Sequence, residues 1–153
     1  MPVGSLKLYR DCVKKILPGK ESRRRIEETI ETAFERDALK NIPPREHMVC
    51  VGGTARASLR LCRKLFGLSD DGRTFTREQL DALAKQLCEC DKDAAVLILR
   101  YDPERIHTLV PGVMILQYLA DRFEVEDSTV SHYGVREGYL RQKIQPSLCV
   151  GSV

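Results

Sequence analysis

Apolar positions along this chain recur mostly at helical spacing. Ile26, Ile30, Ala33 and Phe34 fall at i, i+4, i+7 and i+8, which predicts an amphipathic helix over residues 21–38. The prolines of the following NIPPRE end this helix, because a proline inside a helix removes a hydrogen bond and clashes with the preceding turn.

Three shorter segments have patterns typical of strands: VGSLKLY (3–9), HMVCV (47–51) and STVSHYG (128–134). The first alternates on an imperfect period of two through Val3, Leu6 and Leu8, which predicts a strand at the start of the chain. The second is a continuous apolar run, and we expect it to be buried on both faces of a sheet.

Glycine and capping residues punctuate the middle of the chain. Apolar residues from Ala55 to Phe66 repeat at helical spacing, and Gly67 is placed to end that helix. SDDGRTF then suits a loop. Thr76 and Gln79 form a capping-box pattern, which predicts the start of another helix.

The rest of the chain divides into one ambiguous segment and two helices. DKDAAVLILR suits a buried helix and a buried strand equally. Asp102-Pro103 predicts a helix start with the aspartate as N-cap and the proline at the first helical position. LVPGVMILQYLADRF and GVREGYLRQKI follow as helices. The order β-α-β-α-α-α-β-α indicates an α/β protein with a partly parallel sheet, thin enough to suggest that strands are missing.

Composition narrows the function classes. The 153 residues are 42% hydrophobic and 31% charged, which suits one soluble globular domain. A formal net charge of +3 does not indicate a nucleic-acid binder, and acidic residues follow the cluster Arg23-Arg24-Arg25 within the same helix. The longest apolar run, AAVLIL, is too short to cross a membrane, and the first residues lack a signal-peptide pattern. We therefore expect a cytoplasmic protein with reduced thiols.

The cysteines and histidines do not predict a metal site. Six cysteines and three histidines show no CxxC, HxxxH or HxH spacing. Cys88 and Cys90 form a C-x-C pair on a predicted helix, where their side chains point in different directions.

The stretch VCVGGTARAS has the order strand, glycine turn, helix. Gly52 and Gly53 let the main chain approach a ligand closely, and the amides of Thr54, Ala55 and Arg56 would face an anion at the positive end of the helix dipole. The Thr54 hydroxyl and the Arg56 guanidinium would add contacts to a phosphate. A tight corner capped by Thr54 explains the same residues, and no Walker motif occurs in the chain.

Two further stretches offer groups for an anion. Gly134, Arg136, Glu137 and Gly138 follow the last predicted strand. If the strands are parallel neighbours, both glycine corners lie at the same edge of the sheet, where open α/β sheets bind ligands. Arg136 could bind an anion or pair with a carboxylate. Arg105 follows Asp102 by three residues. Its guanidinium could pair with the Asp102 carboxylate, or it could bind a ligand.

No acidic residue stands beside these corners in a position typical of a catalytic base. Glu27 and Glu28 lie on a predicted helix face, and Asp70 and Asp71 lie in a predicted loop. The sequence thus indicates a phosphate site without the residues that would use it for hydrolysis.

Taken together, these motifs resemble the exopolyphosphatase / guanosine pentaphosphate phosphatase (Ppx/GppA) family. The matching segments are PVGSLKLYRDCV, VCVGGTARASLRL, FTREQLDALAKQL, DPERIHTLVPGVMIL and VSHYGVREGYL, in the family's order and at about its spacing. The resemblance implies that residues 1–145 are the C-terminal part of the family's second actin-like domain, with residues 146–153 as a tail. The implied fold is α/β and ribonuclease-H-like, a three-layer α/β/α half-domain with an incomplete sheet.

The resemblance also implies roles for individual residues. Gly52, Gly53 and Thr54 match a phosphate-facing loop, and Arg105 matches an arginine that approaches a guanosine nucleotide. Gly134, Arg136, Glu137 and Gly138 match a corner whose role is at least partly structural.

The family reaction is hydrolysis of terminal phosphoanhydride bonds in polyphosphate or pppGpp, with Mg²⁺ offsetting charge. The resemblance places the catalytic base and the main metal-binding carboxylates outside this chain. We therefore expect polyphosphate or guanosine tetra- or pentaphosphate as ligand and an N-terminal actin-like domain as partner. We expect no catalytic residue here and negligible activity for the chain alone.

Two other function classes remain open. The chain could be a non-catalytic phosphate- or nucleotide-binding module, or an interaction domain that forms a homodimer through a bare sheet edge. It could also be half of another actin-like phosphotransferase, such as a sugar or acetate kinase, although the GxREG ending disfavours this.

Overall fold

The computed structural model describes residues 1–89 and 91–144. The elements, in chain order, are α1 (Ser5–Cys12), α2 (Lys20–Glu35), a 3-10 turn (Ala38–Asn41), β1 (His47–Cys50), α3 (Gly53–Phe66), β2 (Thr74–Thr76), α4 (Arg77–Glu89), α5 (Asp91–Tyr101), a second 3-10 turn (Pro103–Arg105), α6 (Leu109–Arg122), β3 (Asp127–Val130) and α7 (Val135–Ile144). Cys90, the predicted tail 146–153 and the domain boundary at 145 lie outside the described residues.

The segment predicted as the first strand is a helix. Leu8 and Cys12, four residues apart, are the buried positions of α1, whereas Leu6 is 67% exposed. The strand prediction for residues 3–9 was therefore wrong, because the burial follows the helical period and not the alternation of Val3, Leu6 and Leu8.

α2 confirms the predicted amphipathic helix, with Ile26, Ile30 and Phe34 buried. It ends earlier than predicted because the carboxylate of Asp37 accepts the amide of Leu39 at 3.0 Å and starts a 3-10 turn. Aspartate side chains favour such local hydrogen bonds over continued helix.

The capping signals in the middle of the chain are confirmed. Gln79 Oε1 accepts the Thr76 amide at 2.9 Å, and Thr76 Oγ1 accepts the Gln79 amide at 3.4 Å. Gly67 ends α3 in the left-handed region, with φ of 65°. The ambiguous segment from residue 91 is the helix α5.

The sheet has three strands in the order β1-β3-β2. β1 and β3 are parallel, with His47 opposite Asp127 and Cys50 opposite Val130, which confirms a partly parallel sheet. β2 is antiparallel to β3 and lies in the segment predicted as loop. The side chain of Phe75, 1% exposed, anchors this short strand in the core.

Only one face of β1 is buried. Cys50 packs into the core together with Phe75 and Val130, whereas Val49 is 63% exposed on the opposite face. The prediction that residues 47–51 are buried on both faces was therefore wrong, because the described helices leave this other face of the strand exposed.

α6 is the central helix of the core. It packs against α1, α2, α3 and α4, and Leu109, Val110 and Val113 are fully buried. The result is a mostly helical α/β fold with a small mixed sheet. In the described part of the chain, no helix combines the length and the apolar character needed to cross a bilayer.

Candidate functional site

The two glycine corners predicted to meet do lie at the same sheet edge. β1 and β3 are parallel neighbours, so their carboxyl ends point the same way. The Ser131 amide donates to the Cys50 carbonyl at 2.9 Å, just before each strand enters its corner. The loops after β1 and β3 therefore share the edge at which open α/β sheets bind ligands.

The first corner depends on the backbone of Gly52. Its φ of 115° and ψ of −176° lie in a region that residues with a side chain avoid. Of the three amides predicted to be free, that of Arg56 is used, because it donates to the Gly52 carbonyl at 3.2 Å. Within residues 1–89 and 91–144, no hydrogen-bond acceptor is found for the amides of Thr54 and Ala55, so two anion-binding donors remain at this helix start.

Gly53 lets the turn Pro103–Arg105, with the sequence PER, approach the start of α3. A Cβ atom built on Gly53 would collide with the guanidinium of Arg105. The Arg105 side chain therefore lies directly on the first residue of α3. Its positive charge adds to that of the helix N-terminus.

A polar cavity of about 380 Å³ opens beside this contact. Arg56, Arg60 and Arg105 line it together with Asp102 and Glu104. Three arginines against two carboxylates leave a net charge of +1, and this balance favours a polyanion such as a phosphate chain.

Asp102 faces two of these arginines and is hydrogen-bonded to one of them, Arg60. Arg60 Nη1 lies 3.0 Å from Asp102 Oδ2 and donates to the Tyr101 carbonyl at 3.1 Å, and Arg105 Nε lies 4.0 Å from the same carboxylate oxygen. Asp102 is the N-cap residue of the turn Pro103–Arg105, as predicted, but its side chain makes no capping hydrogen bond. Pairing with Arg60 uses the carboxylate instead, and only a three-residue 3-10 turn follows.

Thr54 faces away from this cavity. A Cβ atom added to Gly112 of α6 would lie 2.6 Å from Thr54 Cγ2 and 2.7 Å from its Oγ1. The half-buried Thr54 side chain thus packs on α6, on the side of a different groove that both residues line. The Thr54 side chain therefore contributes to the packing of α3 against α6. The Thr54 amide remains at the N-terminus of α3.

The second corner has a structural hydrogen bond at its centre. The Gly134 amide donates to Glu137 Oε2 at 2.8 Å, which caps the first turn of α7. Main-chain amides, chiefly its own and that of Gly134, hold the pKa of Glu137 below its ordinary value, and Arg136 and Arg56 contribute further. The influence of Arg56 places the two corners within electrostatic reach of each other.

The remaining corner residues show no contact with the cavity. Arg136 is exposed and does not line it. The Gly138 amide donates to the Gly134 carbonyl at 3.1 Å as part of α7, and a Cβ atom at Gly138 would meet open space. The close approach of main chain that favours glycine is therefore found at Gly53 and not at Gly138.

Sequence reasoning missed Arg60 and Gly112 as parts of this region, and it named Asp102 only as a partner of Arg105. A usable signal existed for the first, because Arg56 and Arg60 are four residues apart and so share one face of α3. No local pattern connects Gly112 to Thr54 or Asp102 to Arg60, since these pairs meet only when α3 packs against the later elements.

The chain is similar to the sequence model of one protein family and to solved structures. Residues 1–146 match the sequence model of the Ppx/GppA phosphatase family. The crystal structure of the Aquifex aeolicus member of that family is similar with a TM-score of 0.74 at 21% identity, over 99% of this chain and 49% of that one. A structure of the Aquifex aeolicus PPX-GPPA enzyme and the crystal structure of the type II variant of the Aquifex aeolicus Ppx/GppA phosphatase each give a TM-score of 0.71 at 22% identity. They cover 91% and 92% of this chain and 46% and 47% of theirs.

The likeness establishes the fold of this family, which is actin-like and ribonuclease-H-like. The chain spans about half the length of each of these solved structures. No curated protein matches it.

Proposed function

The chain belongs to the Ppx/GppA phosphatase family, and we propose that its arginine-lined cavity holds the phosphate groups of polyphosphate or of a guanosine tetra- or pentaphosphate. In this proposal the chain forms one half of a phosphohydrolase site that cleaves a terminal phosphoanhydride bond. The observation that carries it is the contact of Arg105 with Gly53, which sets a guanidinium against the N-terminus of α3.

Several features of the cavity support a phosphate chain as the ligand. The amides of Thr54 and Ala55 and the arginines 56, 60 and 105 offer donors from one helix start and one turn. Asp102 fixes the direction of Arg60 by a hydrogen bond and faces Arg105 at 4.0 Å before a ligand arrives, which lowers the entropy cost of binding. Bidentate guanidinium groups suit phosphate oxygens better than a single ammonium does.

The two carboxylates of this cavity, Asp102 and Glu104, are poorly placed to act as a hydrolytic base. Asp102 is engaged by Arg60, and its side chain is only 12% exposed. Glu104 is exposed at the rim, and none of the described hydrogen bonds or ion pairs fixes its position. We therefore propose that the chain by itself binds phosphate groups without hydrolysing them, and that the base comes from the other half of the enzyme.

Mg²⁺, which the resemblance implies for the full-length family enzyme, does not fit the residues at this cavity. Across the described ranges 1–89 and 91–144, no three His, Cys, Asp or Glu side chains come together as a metal site. Asp102 is held by two arginines whose charge repels a cation. We therefore assign no reaction step in this chain to a metal ion.

Calorimetric titration of the chain with tripolyphosphate and with pppGpp tests the binding proposal. Arg105→Ala should weaken binding by about tenfold or more, since a hydrogen bond to a charged group contributes about 1.5–3 kcal/mol. Arg24→Ala is the matched control, because Arg24 pairs with Glu21 and Glu28 on the exposed face of α2 and loses the same charge. Equal effects of the two substitutions would show that the cavity is not the binding site.

A phosphate-release assay tests the inactivity of the isolated chain. We expect no turnover of pppGpp or of long-chain polyphosphate by the chain alone. Turnover at about 1 s⁻¹ or more, as is common for enzymes, would refute this part of the proposal.

The second candidate function is a non-catalytic binding or interaction module. The open edge of the sheet favours it, and tight nucleotide binding with no phosphate release even after the complementary half is supplied would support it. The half-enzyme proposal instead expects activity to appear when the complementary half is supplied.

A further inference from the structure

One arginine, Arg73, holds the segment that leads from β3 into the second glycine corner. The Arg73 carbonyl accepts the Val130 amide at 2.8 Å, and the Arg73 Nε donates to the Val130 carbonyl at 2.7 Å. Its Nη1 lies 2.9 Å from Nδ1 of His132. The main chain and the side chain of one half-buried residue therefore bind both Val130 and the exposed His132.

The contact with Arg73 fixes which nitrogen of the His132 ring carries a proton. A guanidinium group has N–H donors and no acceptor, so Nδ1 of His132 must be the acceptor and carries no proton. The one remaining ring proton then lies on Nε2. The imidazole is therefore neutral as long as this hydrogen bond is present.

A proton on Nδ1 would break this hydrogen bond. It would turn the acceptor into a donor and would place an imidazolium against a guanidinium, where like charges repel. Histidine side chains gain a proton between about pH 8 and about pH 5. The contact of Arg73 with His132 is therefore present in the upper part of this range and is lost as the pH falls.

No other group binds this imidazole in a way that would replace Arg73. The Tyr133 ring lies 6.4 Å from the His132 ring between centroids. Within residues 1–89 and 91–144, the described hydrogen bonds and ion pairs connect His132 to Arg73 and to no carboxylate. The charged groups on the elements beside it are Arg56 and Arg63 of α3, Asp70 and Asp71 of the loop before β2, and Arg136 and Glu137 of α7.

His132 lies at the sheet edge that carries the phosphate cavity. Cys50 and Val130 are the last paired residues of the parallel strands β1 and β3, so Gly52 and His132 each follow the last pair by two residues. The two chains are about one strand spacing, roughly 4.8 Å, apart at this edge. A phosphate chain that extends beyond the N-terminus of α3 can therefore reach His132 and Arg73.

We propose that Arg73 and His132 form a proton-controlled latch beside the phosphate cavity. In the closed latch, the guanidinium and the neutral imidazole bind each other. A proton on His132 opens the latch, and the imidazolium and the released guanidinium N–H groups become donors for an anion. Long-chain polyphosphate should then bind more tightly in mild acid. This consequence rests on the proposed function, whereas the latch itself does not.

NMR of the imidazole nitrogens tests the latch on the unsubstituted chain without a phosphate ligand. Near pH 8 we expect His132 in the neutral form with its proton on Nε2. As the pH falls to about 5, we expect protonation of His132 together with changed amide shifts at Tyr133 and Gly134. His47→Asn is the matched control, because His47 lies at the opposite end of the strand pair, against Asp127.

Two substitutions of His132 separate the acceptor from the proton. The side-chain oxygen of asparagine takes the place of Nδ1, accepts a hydrogen bond and gains no proton in this range. His132→Asn should therefore keep the latch closed and remove the amide changes, while His132→Ala should open it at every pH. Thermal unfolding checks the fold of each variant. The ring protonation of the unsubstituted chain decides the question even if a variant does not fold.

Polyphosphate binding measures the consequence of opening. The internal phosphates of long-chain polyphosphate stay ionised throughout this pH range, so a change in affinity reports on the protein. In calorimetry, the unsubstituted chain and the His47→Asn control should bind about tenfold more tightly near pH 5.5 than near pH 8, because charge-assisted hydrogen bonds are gained. The His132→Asn chain should show a much smaller change.

Three results would overturn the proposal. A proton on Nδ1 of His132 near pH 8 would show that the latch does not exist. An identical acid transition at Tyr133 and Gly134 in the His132→Asn chain would assign the transition to another group. Equal pH dependence of polyphosphate binding with and without His132 would show that the latch does not serve the phosphate site.

Failure of the proposed function is recognised separately. It would appear as tripolyphosphate binding near pH 8 that Arg105→Ala leaves unchanged, under conditions in which the latch is closed. The NMR result on His132 is obtained without phosphate and stands whatever the outcome at Arg105.

Discussion

The guanidinium of Arg105 lies against the α-carbon of Gly53, at a spot where any side chain would collide with it. This contact joins the PER turn to the first residue of α3, and a glycine is required for it. Asp102 supports the arrangement from the other side by facing both Arg60 and Arg105. Two motifs that are far apart in the sequence therefore form one positively charged corner.

Substitution of Gly53 tests whether this contact positions Arg105. Gly53→Ala should displace the guanidinium and weaken tripolyphosphate binding by about tenfold, because one charge-assisted hydrogen bond is lost. Gly19→Ala is the matched control, since a Cβ atom at Gly19 meets no atom within 4 Å. Calorimetry on both variants measures the effect. Unchanged binding by a folded Gly53→Ala variant would show that Arg105 is not held by this contact.

The close packing of Thr54 on Gly112 predicts a coupled pair of substitutions. Gly112→Ala should destabilise the chain by about 1–3 kcal/mol, because the added methyl group overpacks the contact between α3 and α6. Thr54→Ala removes the two atoms nearest to that methyl and should recover most of the loss in the double variant. Urea unfolding of the single and double variants measures the coupling. Additive effects would contradict the contact.

The hydrogen bond from Gly134 to Glu137 predicts a pH-dependent start of α7. Because the pKa of Glu137 is lowered from its ordinary value of 4.5, the stabilising carboxylate is fully present above pH 4.5 and is lost as pH falls through the lowered pKa. Glu137→Gln should remove this dependence. The amide shift and exchange of Gly134, followed by NMR from neutral to acid pH, measure it. An identical acid transition in both proteins would argue against the cap.

Two buried thiols predict a loss of stability at alkaline pH. Burial raises the pKa of Cys50 to about 11 and that of Cys62 to about 12, against an ordinary value of 9.0. Their contribution to stability is therefore complete below pH 9, and it is lost as pH rises from there through the raised values, since the unfolded chain loses these protons first.

Thermal unfolding at a series of pH values from 8 to 11 measures this effect. The Cys50→Ala/Cys62→Ala double variant should show a shallower decline than the unsubstituted chain, and Cys88→Ala serves as the control. In the native chain at pH 8, both buried thiols should resist a thiol reagent that modifies them after unfolding. Rapid modification of either thiol in the native chain would contradict the burial.

Local sequence patterns were sufficient to predict most of the helices. The spacing of Ile26, Ile30 and Phe34 encodes α2, and the reciprocal hydrogen bonds of Thr76 and Gln79 follow directly from the residue types. Such features depend on neighbours within one or two turns, so they can be recognised without the rest of the fold. The parallel arrangement of the two glycine corners was also predictable, because β-α connections place strand ends together.

The predictions for short apolar segments were the least accurate. Residues 3–9 alternate like a strand, yet the core accepts Leu8 and Cys12 on one helical face. Val49 is apolar but exposed, since the described helices bury only the opposite face of β1. A run of a few apolar residues does not specify which surface will cover it.

The sequence by itself determined the existence of α2, α3, α4, α6 and α7, the glycine corners and the family to which the chain belongs, because these are encoded in residue type and short spacing. Only the tertiary structure decided that Arg105 rests on Gly53, that Thr54 packs on Gly112 and that the carboxylate of Asp102 pairs with Arg60. These contacts join residues from separate elements. They arise from the way α3, α6 and the intervening turn pack, and this packing is set by the whole core.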